Sequence, residues 1–475
     1  MEVKSSPLRS ISRFFGEFGE AVVHGDAWTK LTLLWMGAGY FGRKQYMKAL
    51  LMTLFQIAVI AFTFGFAAKY IVDFGTLGTV QMESVFNIET MQNEYNAYDN
   101  SFLILLYSVI SIVVWVGFAL SWIFNVKCVY RLQKRAEQGR HINVFREDLR
   151  EYLNGRFYVS LLSLPVAGVV IFTIVPLIIM IFVAFTNYDQ NHMPPAALFD
   201  WVGLDNFANL IGGEGLSISF SYAFWRILGW TLLWSFFATL TCYFGGILLS
   251  LFINSKQVMN KKLWRSLFMV AIAVPQFVSL LLVRNFFADN GIMNTILHNI
   301  GVTGLLQNLG LISHDYIPFL TSPGWAHVMV ILINIWVGVP YQMLIATGVL
   351  MNLPHDQIES ASLDGASRWQ VFRHITMPYV FNVTGPALIS DFVRNINNFN
   401  VIYLLTANVY TTTDQIMANS QAKEVDLLVT WLFTLTQENY NYKMASVLGI
   451  VIFVVCAVFT LICFRRLNRK EGEFA

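Results

Sequence analysis

The sequence is poor in charge. Asp, Glu, Lys and Arg make up 13% of its 475 residues, about half of what a soluble domain carries. With 56% hydrophobic residues and a mean hydropathy of +0.55, the composition excludes an ordinary soluble enzyme and indicates an all-α polytopic membrane protein. Cysteine is scarce too. Cys128, Cys242, Cys456 and Cys463 fall in or beside apolar runs without CxxC spacing, which argues against a disulfide framework or a thiolate metal site and makes them core residues. The eight histidines show no HExxH spacing, so no metal is expected. No G-x-x-x-x-G-K-[ST] phosphate loop and no G-x-S-x-G elbow occurs, so the chain is not its own ATP motor by that route and carries no catalytic constellation. The formal charge of +2 is divided among loops, which excludes a nucleic-acid-binding patch. The first thirty residues, with Lys4, Arg9, Arg13 and Glu17, lack the uninterrupted apolar run of a cleaved signal peptide. The N-terminus is expected to stay cytoplasmic. Internal repeats and low-complexity segments are also missing.

The most informative absence is positional. Loops 71–101, 186–222 and 289–325 contain no Lys or Arg, and 406–442 contains only Lys423. Between them, loop 125–157 carries Lys127, Arg131, Lys134, Arg135, Arg140, Arg146, Arg150 and Arg156. Loop 254–265 carries Lys256, Lys261, Lys262 and Arg265, and the tail carries Arg465, Arg466, Arg469 and Lys470. Cytoplasmic loops concentrate Lys and Arg, so the basic loops and both termini are expected in the cytoplasm.

Apolar runs of spanning length lie near 49–69, 102–124, 158–185, 224–253, 266–287, 326–350, 380–405 and 443–464, about eight crossings. Residues 5–29 have the pattern of an amphipathic surface helix, and 31–48 is too interrupted by glycine and charge to span, so it is read as interfacial or re-entrant. Pro165, Pro176, Pro275, Pro340 and Pro386 lie within spans, where they kink helices and free carbonyls.

One polar stretch sits between two strongly apolar segments: ESASLDGASRWQVFRHITMP, Glu359 to Pro378. Pro354 suits a first helical turn, with His355 and Asp356 after it, and Gly365 lies where that helix ends. A second helical run is expected to reach Met377 and stop at Pro378. The product is a helix-turn-helix on the membrane surface, and Arg368 and Arg373 place it with the basic loops. Within the span 380–405, Asp391, Arg394, Asn395 and Asn398 fall on one helical face, and Asn334, Gly338 and Tyr341 form another in the preceding span. Ionisable groups at this depth point to a pocket or watered cavity, though polar side chains also join membrane helices. Asn and Asp can bond sugar hydroxyls, Arg can donate a planar fork, and Tyr341 or Phe399 can cover pyranose C–H groups.

The stretch Glu359-Ser360-Ala361, Gly365, Ile375 and Met377-Pro378 resembles the coupling loop of ABC importer permeases, with Ser360 and Met377 departing from the usual Ala and Leu. Together with AFTNYD (184–189), DWVGLDNF (200–207), AVPQF (273–277), NIWVGVPY (334–341) and NINNFNVIYLLT (395–406), it makes residues 158–464 similar to the maltose/maltodextrin permeases. The resemblance implies a type I permease core of six spans at 158–464. Two additional spans and a basic loop at 49–157, an N-terminal segment at 1–48 and a tail at 465–475 flank it. It further implies that Glu359, Ser360, Ala361, Asp364, Gly365, Ala366, Ile375 and Pro378 couple to a separate ATPase. Asn334, Val337, Gly338, Tyr341, Asp391, Arg394, Asn395 and Asn398 would then line a sugar site halfway across the membrane. The implied partners are a second homologous permease, two ATPase subunits holding ATP and Mg, and an extracellular or periplasmic sugar-binding protein, in a bacterial cell membrane. No cofactor is expected on this chain itself. Asp391 and Arg394 stand where the enterobacterial relatives have a small hydroxyl and an aromatic, which puts maltose itself in question. Loop 186–222 lacks the large insertion of those relatives. The alternatives are an ion-coupled secondary transporter built on Asp391 and Arg394, or a receptor or assembly factor, which leaves the two polar faces without a purpose.

Overall fold

The computed structural model describes residues 7–88, 91–212, 218–255, 257–407 and 409–471. Lys4, Lys256 and the end of the basic tail lie outside these residues, as do the side chains of Arg9, Arg13, His355, Arg469 and Lys470. The chain divides into two compact units, Met1–Val202 and Gly203–Ala475.

In the first unit, the amphipathic helix expected near the N-terminus is Pro7–His24. Ala27–Leu31 and Ala38–Phe41 follow as short helices with a tight turn between them. Neither helix is long enough to cross a membrane; the segment packs on the two long helices after it. Asn125 Nδ2 donates to the Met36 carbonyl at 2.9 Å, and Trp35 Nε1 to Thr53 Oγ1 at 2.6 Å. The helices of spanning length are Tyr46–Asp73, with a π-helical turn at Thr63–Ala67, then Ser101–Glu137 and Phe157–Val183. A two-stranded antiparallel hairpin, Ser84–Asn87 with Gln92–Tyr95, lies between the first two.

The second unit is organised on Ile218–Asn254 and Pro323–Met351. Glycine permits their close approach, as small residues do between membrane helices. A Cβ on Gly246 would lie 2.4 Å from Gln342 Cβ, and one on Gly338 would lie 2.6 Å from Cys242 Sγ. The core around them holds Trp234, Leu280, Leu320, Ile333, Ile402 and Leu405.

Six helices among the described residues are long and apolar enough to cross a membrane. The two remaining apolar runs are broken helices. Lys261–Ala273 and Gln276–Phe286 are separated at Val274-Pro275, because proline cannot supply the amide that would continue the ladder. Met377–Ile396 and Phe399–Thr406 are separated at Asn397-Asn398. Hydropathy does not register such breaks, and irregular backbone at this depth is tolerated where protein or a cavity satisfies it.

The connection from 406 to 442 is built on two acids. Glu424 accepts hydrogen bonds from Thr413 N at 3.0 Å, Thr413 Oγ1 at 2.8 Å and Asp414 N at 2.9 Å. Asp426, buried, accepts from Lys423 N at 2.8 Å and Thr430 Oγ1 at 2.9 Å, and burial still pushes its carboxyl up to about 6.

Candidate functional site

The two interruptions and the paired long helices meet around a cavity of about 470 Å³. All eight residues read from the sequence as a pocket line it: Asn334, Val337, Gly338 and Tyr341 from one helix, Asp391, Arg394 and Asn395 from another, and Asn398 from the break. They are not equivalent. Asn395 is 8% exposed; its Nδ2 donates to Thr239 Oγ1 at 2.9 Å and its Oδ1 accepts from Asn398 Nδ2 at 3.3 Å. Asn334, also buried, contacts Cys242 through its Nδ2 at 3.5 Å. Both amides therefore tie their helices to Ile218–Asn254.

Arg394 and Tyr341 are the open side chains. Arg394 Nη2 lies 2.8 Å from Asp391 Oδ1, its side chain remains 60% exposed, and its guanidinium carbon stands 5.6 Å from the Tyr341 ring centre. The other Asp391 oxygen accepts from Gln342 Nε2 at 2.5 Å. The ion pair is thus locked from the acid side and free on the guanidinium side, with the remaining N–H donors available to a guest.

Three details differ from the sequence reading. Asn398 does not share a helical face with Asp391; it caps the next helix, its Oδ1 accepting from Val401 N at 3.4 Å. Gly338, whose missing side chain suggests open space beside that face, is instead a packing position on one side, because Cys242 fills the space there. Cys242 itself lines the cavity in addition to packing in the core. The sequence reading also left out Thr239, Gln276, Ser279, Trp336, Gln342, Asn397 and Asn400, which line the same space. Gln342 and Asn397 carried a signal, each being an amide within a run long enough to span.

The polar stretch forms a hairpin. His355–Leu363 ends through Gly365, whose φ of +79° is the left-handed conformation that glycine adopts without penalty. Ala366 N donates to Ala361 O at 3.0 Å and Gly365 N to Ser362 O at 3.2 Å, the Schellman arrangement that satisfies a helix end. Ser367 then caps the next run, its Oγ accepting from Gln370 N at 3.3 Å while Gln370 Oε1 accepts from Ser367 N at 2.7 Å. Asp364, Gly365 and Ala366 share a crevice of about 350 Å³ with Ala361, Val371 and Ile375. Glu359 and Ser360 are exposed outside it, and Leu363 and Trp369 present 89% and 65% of their surface. Pro378 does not stop the second run. It falls in the first turn of Met377–Ile396, and the π-helical turn Phe372–Thr376 absorbs the ring against the preceding turn, so Arg368 to Ile396 is one continuous helical run.

Residues 243–472, which hold the hairpin and most of the cavity, match the family described as binding-protein-dependent transport system inner membrane component. The galactooligosaccharides transport system permease protein GanP of Bacillus subtilis is 31% identical over 445 residues, 92% of this chain and 96% of that one. The chain belongs to the binding-protein-dependent sugar permeases of ABC importers. The maltodextrin transport system permease protein MalC of Streptococcus pneumoniae serotype 4 is 31% identical over 79% of this permease and 84% of its own length. The maltose/maltodextrin permease MalF of Photorhabdus laumondii is 29% identical over 265 residues, and the permease spans about half its length, 48%. Among solved structures, a chain of a bacterial ABC transporter involved in the import of the acidic polysaccharide alginate superposes with a TM-score of 0.51 at 25% identity, covering 68% of the permease and 98% of that chain. The permease is a multi-pass cell-membrane protein.

Proposed function

We propose that the permease carries a neutral, hydroxyl-rich oligosaccharide of the maltodextrin or galactooligosaccharide kind, and that the cavity around Arg394 is where it binds. The observation that carries this reading is the lining. Asn397, Asn400, Gln276 and Ser279 offer uncharged donors and acceptors, Tyr341, Trp336 and Phe399 offer ring faces, and the single acid is matched by the single base. Such a surface suits hydroxyls and pyranose C–H groups better than an ion. The rival ion-coupled transporter needs a carboxylate free to bind a cation or proton, whereas both Asp391 oxygens are engaged.

The eight-span arrangement, with both termini cytoplasmic and a six-span core at 158–464, remains the organisation we assign. The hairpin is the element that docks on a partner ATPase, with Glu359 facing a basic group, Gly365 and its small neighbours permitting close approach, and Leu363 and Trp369 supplying apolar contact. ATP and Mg are held by two such ATPase subunits, and the working complex includes a second permease and an extracellular or periplasmic binding protein. Closure of the ATPases moves the hairpin and exposes the cavity alternately to the two sides.

Affinity purification of the tagged permease in mild detergent, compared with Glu359→Ala and Gly365→Asp, tests the docking role. An ATPase should accompany the parent chain and be lost from the Gly365→Asp variant. Equal recovery with all three counts against the hairpin. Binding of labelled malto- and galactooligosaccharides to the reconstituted complex tests the cavity; retention of an ion and no sugar favours the rival.

A further inference from the structure

The first unit holds a larger cavity, lined by none of the residues around Arg394. It measures about 830 Å³ and lies between the helices Tyr46–Asp73, Ser101–Glu137 and Phe145–Leu153. Its two ends differ in chemistry. Leu51, Phe55 and Phe124 line one end and are 43%, 40% and 55% exposed on spanning helices, where the surroundings are acyl chains. Arg131, Arg135 and Arg156 line the other, at the level of the Lys/Arg-rich loop. Along Ser101–Glu137, Phe124 and Arg135 are separated by roughly 16 Å of helix rise, and the arginine stem leans back toward the helix N-terminus. The cavity is therefore a slot graded from apolar to cationic over the length of a lipid headgroup and upper chain.

Two groups in it have no protein partner, one exposed and one buried. Arg156 pairs with Glu151 at 2.7 Å and Arg131 with Glu17 at 2.6 Å, and Lys48 pairs with Asp148. The Arg135 side chain has no hydrogen bond or ion pair among the described residues. The second group is an acceptor: Asn125, which is 3% exposed, leaves Oδ1 without a partner while its Nδ2 is bound to Met36 O. A buried acceptor without a donor is costly. An apolar guest would leave both groups unmatched, and a bare anion would leave the apolar end empty.

We propose that this slot binds one anionic glycerophospholipid with free hydroxyls, of the phosphatidylglycerol class in mono- or diacyl form. Its phosphate sits on Arg135 and a chain lies along Phe55 and Phe124, with its glycerol between them on the side of Asn125. Basic pockets between membrane helices at the positively charged side suit such headgroups.

Native mass spectrometry on the detergent-solubilised complex, titrated with phosphatidylglycerol or with phosphatidylethanolamine of the same chains, tests the assignment. Phosphatidylglycerol should bind about tenfold more tightly: both lipids carry the phosphate, but only phosphatidylethanolamine cancels it with its own ammonium, so the net negative charge beside the uncompensated Arg135 is what separates them. Arg135→Gln should erase that preference. Arg150→Gln, which removes an exposed charge of the same loop outside the cavity, should preserve it. Equal binding of the two lipids, equal effects of the two substitutions, or displacement of the lipid by millimolar inorganic phosphate would overturn the proposal, the last by making the site one for free anions.

Discussion

Gln342 Nε2 lies 2.5 Å from Asp391 Oδ2, so a neutral amide on one membrane helix holds the acid of another. That contact, together with the ion pair on the second carboxylate oxygen, orients Arg394 without consuming its outer donors. Arg394→Ala should therefore raise the half-saturating sugar concentration about tenfold or more, since a hydrogen bond to a charged group contributes roughly 1.5–3 kcal/mol. Sugar uptake in proteoliposomes reads this directly. Gln342→Leu should give a smaller loss, because it removes the support and leaves the contact; an unchanged Arg394→Ala protein would remove Arg394 from the binding surface.

The approach of Ile218–Asn254 to Pro323–Met351 depends on a missing side chain. A Cβ at Gly246 meets the Gln342 carbonyl carbon at 2.7 Å, an atom of the backbone that cannot swing away. Gly246→Val should destabilise the folded permease by about 1–3 kcal/mol or more, seen as a lower melting temperature in detergent. Gly229→Ala, with open space around it in the same helix, should melt as the parent does.

At Gly365 the requirement is conformational instead. Nothing surrounds its Cβ position, yet φ is +79°. Val there pays about 1–2 kcal/mol for left-handed backbone, and Asn much less. The melting temperature of the permease alone should fall for Gly365→Val and stay near the parent's for Gly365→Asn, whereas ATPase recovery should fall for both because the partner approaches the turn closely. Equal melting of the two variants would remove the conformational requirement.

Asp426 sets a pH dependence. Its carboxyl titrates near 6 in the folded protein, against 3.8 as the ordinary value, with burial as the cause. The folded state then binds the proton more tightly, so stability is highest below pH 4 as far as this group is concerned and declines as pH rises to about 6. The full effect approaches 3 kcal/mol at about 1.4 kcal/mol per pH unit. Melting temperatures between pH 4.5 and 7 should show this decline in the parent chain and lose it in Asp426→Asn. A parallel decline in both proteins would place the titrating group elsewhere.

Much of the cavity was legible because helical periodicity is a property of one segment: Asn334, Gly338 and Tyr341 share a face wherever their helix packs. Thr239, Cys242 and Gln342 were missed for the converse reason, since which neighbouring face meets that one is decided by packing, here by Gly246 and Gly338. Asn398 reached the cavity by a different route from the expected one, through a helix break that hydropathy averages away. Pro378 reads as a stop because proline has no N–H to donate to the preceding turn, and a wider turn at Phe372–Thr376 is the local remedy that residue preferences do not announce.

That wider turn has a mechanical meaning. It leaves the hairpin's second arm and the cavity wall on one continuous helical run, which from Arg368 to Arg394 rises roughly 40 Å and carries Pro386 within it. A tilt of about 10° around its middle carries each end roughly 3–4 Å in opposite directions, on the scale of a helical rise of two residues. On the proposed docking role, a push delivered at Trp369 would reach Arg394 as displacement of comparable size and reversed sense, carried by backbone continuity.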